Sequence, residues 1–307
     1  MISVLAVAAA EPPDTDWRFE AELGGQFEQE SHGIANFVAR RGGLELALYT
    51  DTLQVRWDDD MSHGRWWAAL RGEAGAVGLV STRWVDGVPS PEASQLGFYV
   101  GPEGGVVRYG PKGTYAGLQA SVRYVAFAAL PATAEVAPDR LVAHPEAVLG
   151  WYSEPADLYV HGGVAVMPGI LSPGLHATLR VHPPGPLMPW LEVRAGVAEN
   201  TDIVTKTRLG GLNPYVVPLA GAAWAEFWVE DYAAVRAGPR LTVREHWVAP
   251  IVDAAWFDGR TAVGVGGYVH VGIRSWALDL GAGIAPGLPR ARRDWAGSTY
   301  AKGSVAF

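Results

Sequence analysis

Apolar and polar residues alternate along most of the chain with a period of two. In the segment 263–273, apolar or small residues occupy every odd position, and in 175–182 Leu, Ala, Leu and Val alternate with His, Thr, Arg and His. This period places the two sets on opposite faces of a β-strand. Nowhere does the sequence carry a sustained i, i+3, i+4, i+7 apolar stripe between helix caps. The pattern therefore predicts an all-β protein.

The alternating segments predict about 17 strands, with soft boundaries. They lie near 17–27, 43–50, 53–59, 64–73, 77–85, 95–109, 113–128, 142–154, 157–167, 174–182, 188–198, 203–209, 227–243, 247–257, 261–273, 275–284 and 297–307. Single-chain bacterial barrels have even strand numbers. We therefore predict a transmembrane antiparallel up-and-down β-barrel of 16 strands, with 18 and 14 as the neighbouring even counts.

Three features favour a membrane barrel over a soluble β-sandwich, which also alternates. The predicted turns are short on one side of the barrel and longer on the other. Aromatic residues cluster at strand ends, as in interfacial girdles, at Trp57, Trp66, Trp67, Trp84, Trp151, Tyr152, Trp190, Trp224, Trp228, Trp256, Phe257 and Trp295. The polar face carries ionisable residues that we expect to line the lumen: Glu20, Glu22, Arg123, His161, Arg180, Arg194, His270 and Asp279.

Strand parity assigns six loops to the outer side, at 28–42, 58–63, 86–94, 183–187, 210–226 and 285–296. The loop at 212–225 is too apolar to extend into water, so we expect it to fold into the barrel and narrow the pore. The alternatives are an external cap or a contact for a partner protein.

Composition limits the class further. A net charge of -8 without a basic stripe disfavours nucleic acid as a partner, and the absence of cysteine excludes disulfides and thiolate metal sites. Residues 1–10 resemble a truncated export signal, which leaves 11–307 as one barrel domain in the bacterial outer membrane. The alternative is an apolar tail on a cytosolic protein.

Several polar groups invite a functional interpretation. His161, His176, His182 and His270 could serve a barrel enzyme, but the sequence contains no Gly-x-Ser-x-Gly elbow, so we predict no catalytic residue, metal or cofactor. Residues 58–60 are three aspartates that could bind Ca²⁺ or form a solvated acidic loop. Arg290, Arg292 and Arg293 could contact lipopolysaccharide phosphates or remain solvated.

The last hundred residues carry a specific resemblance. Arg208-Leu209-Gly210-Gly211 precedes a loop from Leu212 to Trp224, and five strands follow, one of which contains Val252-Asp253-Ala254-Ala255-Trp256. This arrangement resembles the carboxyl-terminal part of the BamA/TamA-type outer-membrane assembly barrels, including those fused to patatin-like phospholipases. In that superfamily an Arg-Gly-aromatic tripeptide of the infolded loop docks on an acidic partner. The corresponding place here reads Asn213-Pro214-Tyr215.

The resemblance implies that Phe307 is the terminal assembly signal and that outer-membrane lipids and assembly machinery are partners. It also implies an assembly or insertion role, although the sequence leaves no room for periplasmic docking domains before the first predicted strand. The residues alone keep other roles open: a diffusion channel with charged lumen residues, a structural or partner-binding surface barrel, or a lipid-modifying enzyme.

Overall fold

A computed structural model describes residues 17–27, 31–41, 44–49, 52–77, 83–85, 88–183, 187–212, 217–223, 226–290 and 293–306. Its strands are β1 (Arg18–Phe27), β2 (Ser31–Arg41), β3 (Leu44–Tyr49), β4 (Thr52–His63), β5 (Trp66–Val77), β6 (Arg83–Val85), β7 (Val88–Ser90), β8 (Gln95–Tyr109), β9 (Thr114–Ala129), β10 (Arg140–Ser153), β11 (Ala156–Met167), β12 (Ile170–Val181), β13 (Leu187–Ala198), β14 (Thr207–Leu209), β15 (Phe227–Val229), β16 (Tyr232–Val243), β17 (His246–Phe257), β18 (Arg260–Ile273), β19 (Trp276–Arg290) and β20 (Arg293–Ala306).

Sixteen of these strands form one closed antiparallel sheet, in the order β1–β5, β8–β13 and β16–β20. Each barrel strand pairs with the next along the chain, and β20 pairs with β1 from Phe27 opposite Thr299 to Glu20 opposite Ala306. Two short hairpins, β6–β7 and β14–β15, lie outside this sheet. The prediction of a 16-strand up-and-down barrel is therefore confirmed.

The two faces of the wall differ in chemistry. Large apolar side chains such as Leu118, Leu175 and Ile273 point outward and are more than half exposed. Their strand neighbours point inward and include Arg123, His176 and His270. An outward apolar surface around a polar interior is typical of a barrel that crosses a bilayer. None of the short helical turns among the described residues is long and apolar enough to cross a membrane.

The barrel has two distinct ends. We call the end at which β1 begins and β20 finishes the terminal end. It carries short turns such as Arg244–Glu245 and Arg274–Ser275. The opposite end, which we call the loop end, carries the connection between β5 and β8 and the 33-residue connection 199–231 between β13 and β16. Long connections on one end and short turns on the other are the usual barrel arrangement.

Some predicted strands were wrong. The predicted loop 28–42 contains β2, in which both faces carry apolar residues: Val38 is buried toward the lumen, and its neighbour Phe37 is 47% exposed on the outer side. The predicted strand 77–85 is no barrel strand, because β5 ends at Val77 and 83–85 form the small strand β6. The predicted strand 203–209 reduces to β14, which pairs with β15 outside the sheet.

Two loop assignments also change. Residues 58–63 belong to β4, where Asp58 is paired with Arg71, so the three aspartates are not in an outer loop. The connection around 183–187 follows β12 and lies at the terminal end, because the strands alternate in direction from one hairpin to the next. The predicted loop 285–296 is largely the paired ends of β19 and β20.

Candidate functional site

The connection 199–231, which we call the infolded loop, forms a small structure of its own. Gly210 and Gly211 have φ values of 124° and 98°, which favour glycine, and their N–H groups donate to the carbonyl oxygens of Val217 and Leu219. The strands β14 and β15 pair beside this turn. The loop is thus an ordered, hydrogen-bonded unit in its described residues.

Apolar side chains of the infolded loop are completely buried against the inner wall. Leu209, Leu219 and Ala222 have no exposed surface and pack in one cluster with Phe257 of β17 and Ala285 of β19. A second cluster joins Leu212 and Ala220 of the loop to inward-facing residues of the wall, which include Ile251 and Tyr300. The prediction that this loop folds into the barrel is confirmed.

A buried carboxylate on β17 holds the centre of the loop. Asp253 is fully buried, and its Oδ2 accepts a hydrogen bond of 2.6 Å from the backbone N–H of Ala220. Arg236 of β16 donates to both carboxylate oxygens of Asp253, each at 2.6 Å. Arg236 also donates to the hydroxyl of Tyr268, which in turn donates to the carbonyl oxygen of Leu212. The charge pair therefore belongs to the wall, and the loop contributes backbone groups.

Glycines shape the wall where Ala220 sits. A Cβ atom at Gly264 of β18 would overlap the carbonyl oxygen of Ala220, and a Cβ at Gly283 of β19 would contact the Cβ of Ala220 at 2.8 Å. Both distances are too short for real side chains. The glycines of these two strands therefore allow the loop backbone to lie directly on the sheet.

A second buried ion pair has the opposite arrangement, because its acid is in the loop. Glu226 accepts hydrogen bonds of 2.8 Å from Nη1 and Nη2 of Arg290 at the end of β19, and the two side chains are 2% and 1% exposed. The N–H of Ala223 also donates to Glu226. Such a bidentate, charge-assisted pair fixes both position and orientation.

This geometry shows that one prediction was wrong. Arg290 lies within β19 and points into the barrel, where Glu226 binds it, so its guanidinium does not face lipopolysaccharide phosphates. Arg292 lies outside the described residues, and Arg293 is described only as the first backbone position of β20.

The beginning of the infolded loop is fixed to the far side of the barrel. Asp202 binds Nη1 of Arg140, the first residue of β10, at 2.6 Å, and the side-chain amide of Asn200 donates to the carbonyl oxygen of Leu171 on β12. Seven steps around the sheet of sixteen strands separate β10 from β19, which carries Arg290. The loop is therefore attached to nearly opposite points of the wall.

The connection between β5 and β8, which contains the β6–β7 hairpin, also reaches Arg290. Trp84 of the β6–β7 hairpin, which leaves the wall between β5 and β8, lies with its ring 5.5 Å from the guanidinium carbon of Arg290. Arg208 of the infolded loop stacks on Trp228 at 3.6 Å. Two connections thus converge at the loop end over the lumen. Of the predicted girdle residues, Trp84 and Trp228 belong to this cover, whereas Trp66, Tyr152, Trp256 and Trp295 are exposed at strand ends.

The structure places the predicted lumen residues in ion-pair groups on the inner wall. Arg123 binds Glu73 and Glu103, Arg180 and Arg194 both bind Glu192, and His270 binds Asp279 at 2.6 Å. Glu20 binds Arg40 near the terminal end. The side chain of Glu22 lies outside the part of the chain that the structure describes.

The four histidines considered for a barrel enzyme do not form one group, because only His161 and His176 lie together. His161 contacts Glu146 at 3.1 Å, and its ring stacks on those of Tyr159 and His176 at 5.1 and 5.0 Å. His176 in turn meets Tyr232, because Gly196 between them has no side chain. His270 lies at the terminal end, and His182 follows the last residue of β12. The structure therefore does not bring the four histidines together.

Sequence reasoning missed the residues that hold the loop. The sequence points only to Asp253, through the resemblance, and gives no signal for Arg236, Tyr268, Glu226 or Arg140. The available signal was a lone carboxylate at a lumen position of the otherwise apolar stretch 251–255. The predicted loop residues Gly210 and Gly211 lie in the infolded turn, while Asn213, Pro214, Tyr215, Phe307 and residues 1–10 fall outside the described residues.

No family model matches the sequence, and no curated protein matches it. Solved structures do. BamA from Haemophilus ducreyi lacking POTRA domains 1-3 is similar at a TM-score of 0.71 with 8% identity, over 97% of this chain and 71% of that one. CdiB from Acinetobacter baumannii is similar at a TM-score of 0.67 with 13% identity, over 95% of this chain and 60% of that one. CdiB from Escherichia coli is similar at a TM-score of 0.69 with 11% identity, over 98% of this chain and 64% of that one.

The chain thus spans less than two thirds of the length of the two CdiB chains that it matches. The similarity extends over nearly the whole described barrel, although the resemblance seen in the sequence covered only its last third. At this level of identity the comparison shows the fold alone. The chain has the fold of the BamA and CdiB outer-membrane β-barrels.

Proposed function

We propose that this protein is an outer-membrane barrel that inserts or transports other molecules, with the infolded loop as the part that controls passage. The observation that carries the proposal is the attachment of one loop to nearly opposite walls through Arg140 and Arg290. A passive pore does not require a loop that is attached to both sides of its lumen. A barrel that opens only when engaged requires a defined closed state.

The pairing of β1 with β20 supports a route for a client strand through the barrel wall into the membrane. Eight pairs join β1 to β20, fewer than in the ladders on either side of this seam, which have ten pairs between β1 and β2 and twelve between β19 and β20. Within the described residues, β20 pairs with β1 only from Thr299 onward, although β20 begins at Arg293. A short ladder costs less to open than a long one. We propose the seam between β1 and β20 as the route by which a client strand enters the bilayer.

The proposed partners are outer-membrane lipids, including lipopolysaccharide, and proteins of the assembly or secretion machinery. The outward apolar band supports the first, and the fold shared with BamA and CdiB supports the second. The proposal assigns no catalytic reaction to the barrel.

A reconstitution experiment tests the insertion role. Proteoliposomes that contain the barrel should accelerate the folding of an unfolded outer-membrane client, measured by its heat-modifiable gel migration. Because the chain has no cysteine, Leu23→Cys with Gly303→Cys introduces a single disulfide across the seam. This variant should lose acceleration when oxidised and regain it with reductant.

The matched control uses the same position. Leu278→Cys with Gly303→Cys joins β19 to β20 within one hairpin and should leave acceleration unchanged. If the barrel gives no acceleration, or if both locked variants behave alike, the proposed insertion through the seam is wrong.

The second candidate function is a diffusion channel. The charged groups around Arg123, Arg194 and Asp279 favour it, since they would set ion selectivity in a wet lumen. Planar-bilayer recordings separate the two functions: a steady open conductance of the unmodified barrel supports the channel, and a closed or flickering barrel supports the controlled passage.

A further inference from the structure

A shallow groove lies on the outer face of four neighbouring strands, β5, β8, β9 and β10. It has a volume of about 910 Å³ and includes the small residues Gly104 and Ala120. A Cβ atom at Gly104 would lie 3.5 Å from Cδ1 of Leu70. Leu70 and Leu118 flank the groove with outward side chains that are more than half exposed. The groove therefore interrupts the outward apolar band, and its volume is that of a ligand pocket.

Three cations lie at the terminal end of the same strands. Arg108, near the end of β8, is exposed on the outer side, and its guanidinium carbon lies 5.5 Å from the ring of Trp66, which begins β5 directly opposite. Arg65 and Lys112 are exposed in the two adjoining turns. In the part of the chain that the structure describes, no carboxylate forms an ion pair with any of the three. These charges are therefore available to an anion.

The cations and the groove are spaced like the headgroup and the acyl chain of a lipid. Gly104 precedes Arg108 by four residues along β8, which corresponds to about 13 Å. The hydrocarbon part of one leaflet is about 15 Å thick. Outward tryptophan and arginine residues anchor a protein at the membrane interface. A headgroup bound at Arg108 therefore places its acyl chain over the groove.

The stacked guanidinium of Arg108 suits a phosphate group. Stacking on Trp66 uses a face of the guanidinium plane and leaves N–H groups at its edge, where phosphate oxygens accept hydrogen bonds. A second copy of the chain in this groove would bring the same cations together, since a two-fold interface uses one patch twice. A neutral apolar partner would leave the cations unused.

We propose that the groove and its three cations form a binding site for an anionic glycerophospholipid of the leaflet at the terminal end. Its phosphate binds Arg108, with Arg65 and Lys112 beside it, and one acyl chain lies over Gly104 and Ala120. The inference rests on the proposed function only for its outer-membrane lipid partners, of which it names the class. It requires no insertion activity.

The test titrates the full-chain barrel in detergent with phosphatidylglycerol and with phosphatidylcholine, which has a phosphate but no net charge. Native mass spectrometry should show one phosphatidylglycerol bound more tightly than phosphatidylcholine. Arg108→Gln should weaken phosphatidylglycerol binding about fivefold, as expected for one cation at a membrane surface. Arg274→Gln is the matched control, because it removes an exposed arginine beside the outward Trp276 at the same end. It should leave both affinities unchanged.

A second variant tests the groove without changing a charge. Ala120→Leu fills the groove and should weaken the binding of both lipids, whereas Ala254→Leu, at an exposed outer position of β17, should not. Heat-modifiable migration verifies that each variant is folded. Equal wild-type affinity for the two lipids, equal losses in the two arginine variants, or unchanged binding by Ala120→Leu would overturn the proposal.

One further result identifies a different occupant. A dimer of the wild type that Ala120→Leu abolishes would show that a second copy of the chain covers the groove, and it would also overturn the proposal. No client protein is present in these measurements, so a failure here is distinguishable from a failure of the insertion experiment.

Discussion

Arg290 donates a hydrogen bond of 2.8 Å to each carboxylate oxygen of Glu226, and neither side chain reaches solvent. One residue belongs to the barrel wall and the other to the infolded loop. The pair therefore connects two parts of the chain that lie 64 residues apart. Its loss therefore releases this part of the loop from the wall.

Breaking this pair should release the end of the infolded loop. Glu226→Ala leaves the Arg290 charge buried without its partner, which costs about 3–5 kcal/mol. We expect larger and more frequent openings in planar-bilayer recordings and faster proteolysis within 199–231. The charge exchange Glu226→Arg with Arg290→Glu should recover part of the closed behaviour. An equally closed Glu226→Ala barrel would show that this pair does not hold the loop.

Removing the carboxylate of Asp253 should also destabilise the barrel, because it binds both Arg236 and the N–H of Ala220. Asp253→Asn leaves a buried arginine without a counter-charge, at a cost of about 3–5 kcal/mol. The temperature of heat-modifiable unfolding should fall. Asp279→Asn, whose carboxylate is 21% exposed, should lower that temperature less. Equal shifts in the two variants would contradict the special role of Asp253.

A methyl group at Gly264 should displace the loop without changing any charge. Gly264→Ala places a Cβ against the Ala220 carbonyl oxygen, so the loop must move from β18. We expect faster hydrogen exchange of the Ala220 amide and a higher open probability. Gly174→Ala is the control, because its Cβ would find only ordinary contacts at 3.6 Å and beyond. If Gly264→Ala keeps the wild-type exchange rate, the loop does not lie on the sheet as described.

Arg140→Ala should free only the first part of the infolded loop. Arg140 and Asp202 are partly exposed, so the loss is about 1 kcal/mol. Hydrogen exchange should accelerate in 199–206 and remain unchanged near Glu226. Lys112→Ala, in a turn at the terminal end, should alter neither region. Uniform acceleration across the loop would mean that its two attachments are not independent.

The sequence predicts the barrel strands well where one face of a strand is apolar and the other is small or polar. In β18, valines and an isoleucine face the bilayer and the lumen side is small or polar, so the period is visible. In β2 the lumen side includes the buried Val38 and the outer side includes Ala39, so the contrast disappears. Alternation detects a strand only when its lumen face is polar.

The attachments of the loop could not be predicted from the sequence, because each joins residues far apart in the chain. Arg290 and Glu226 meet only because β19 returns beside the loop after three intervening barrel strands. An arginine next to Arg292 and Arg293 suggests a surface cluster when its partner is unknown. Likewise, Asp253 binds Arg236 of the neighbouring strand, a partner that only the barrel geometry reveals.

The attachment of the infolded loop to both β10 and β19 has a mechanical consequence. A tether across a hollow cylinder resists elongation of the cross-section along its own direction, so the loop helps to keep the cross-section circular. When either attachment breaks, the barrel can become elliptical, and curvature then increases at two narrow poles. Opening of the lumen and deformation of the wall would therefore be one motion rather than two successive events.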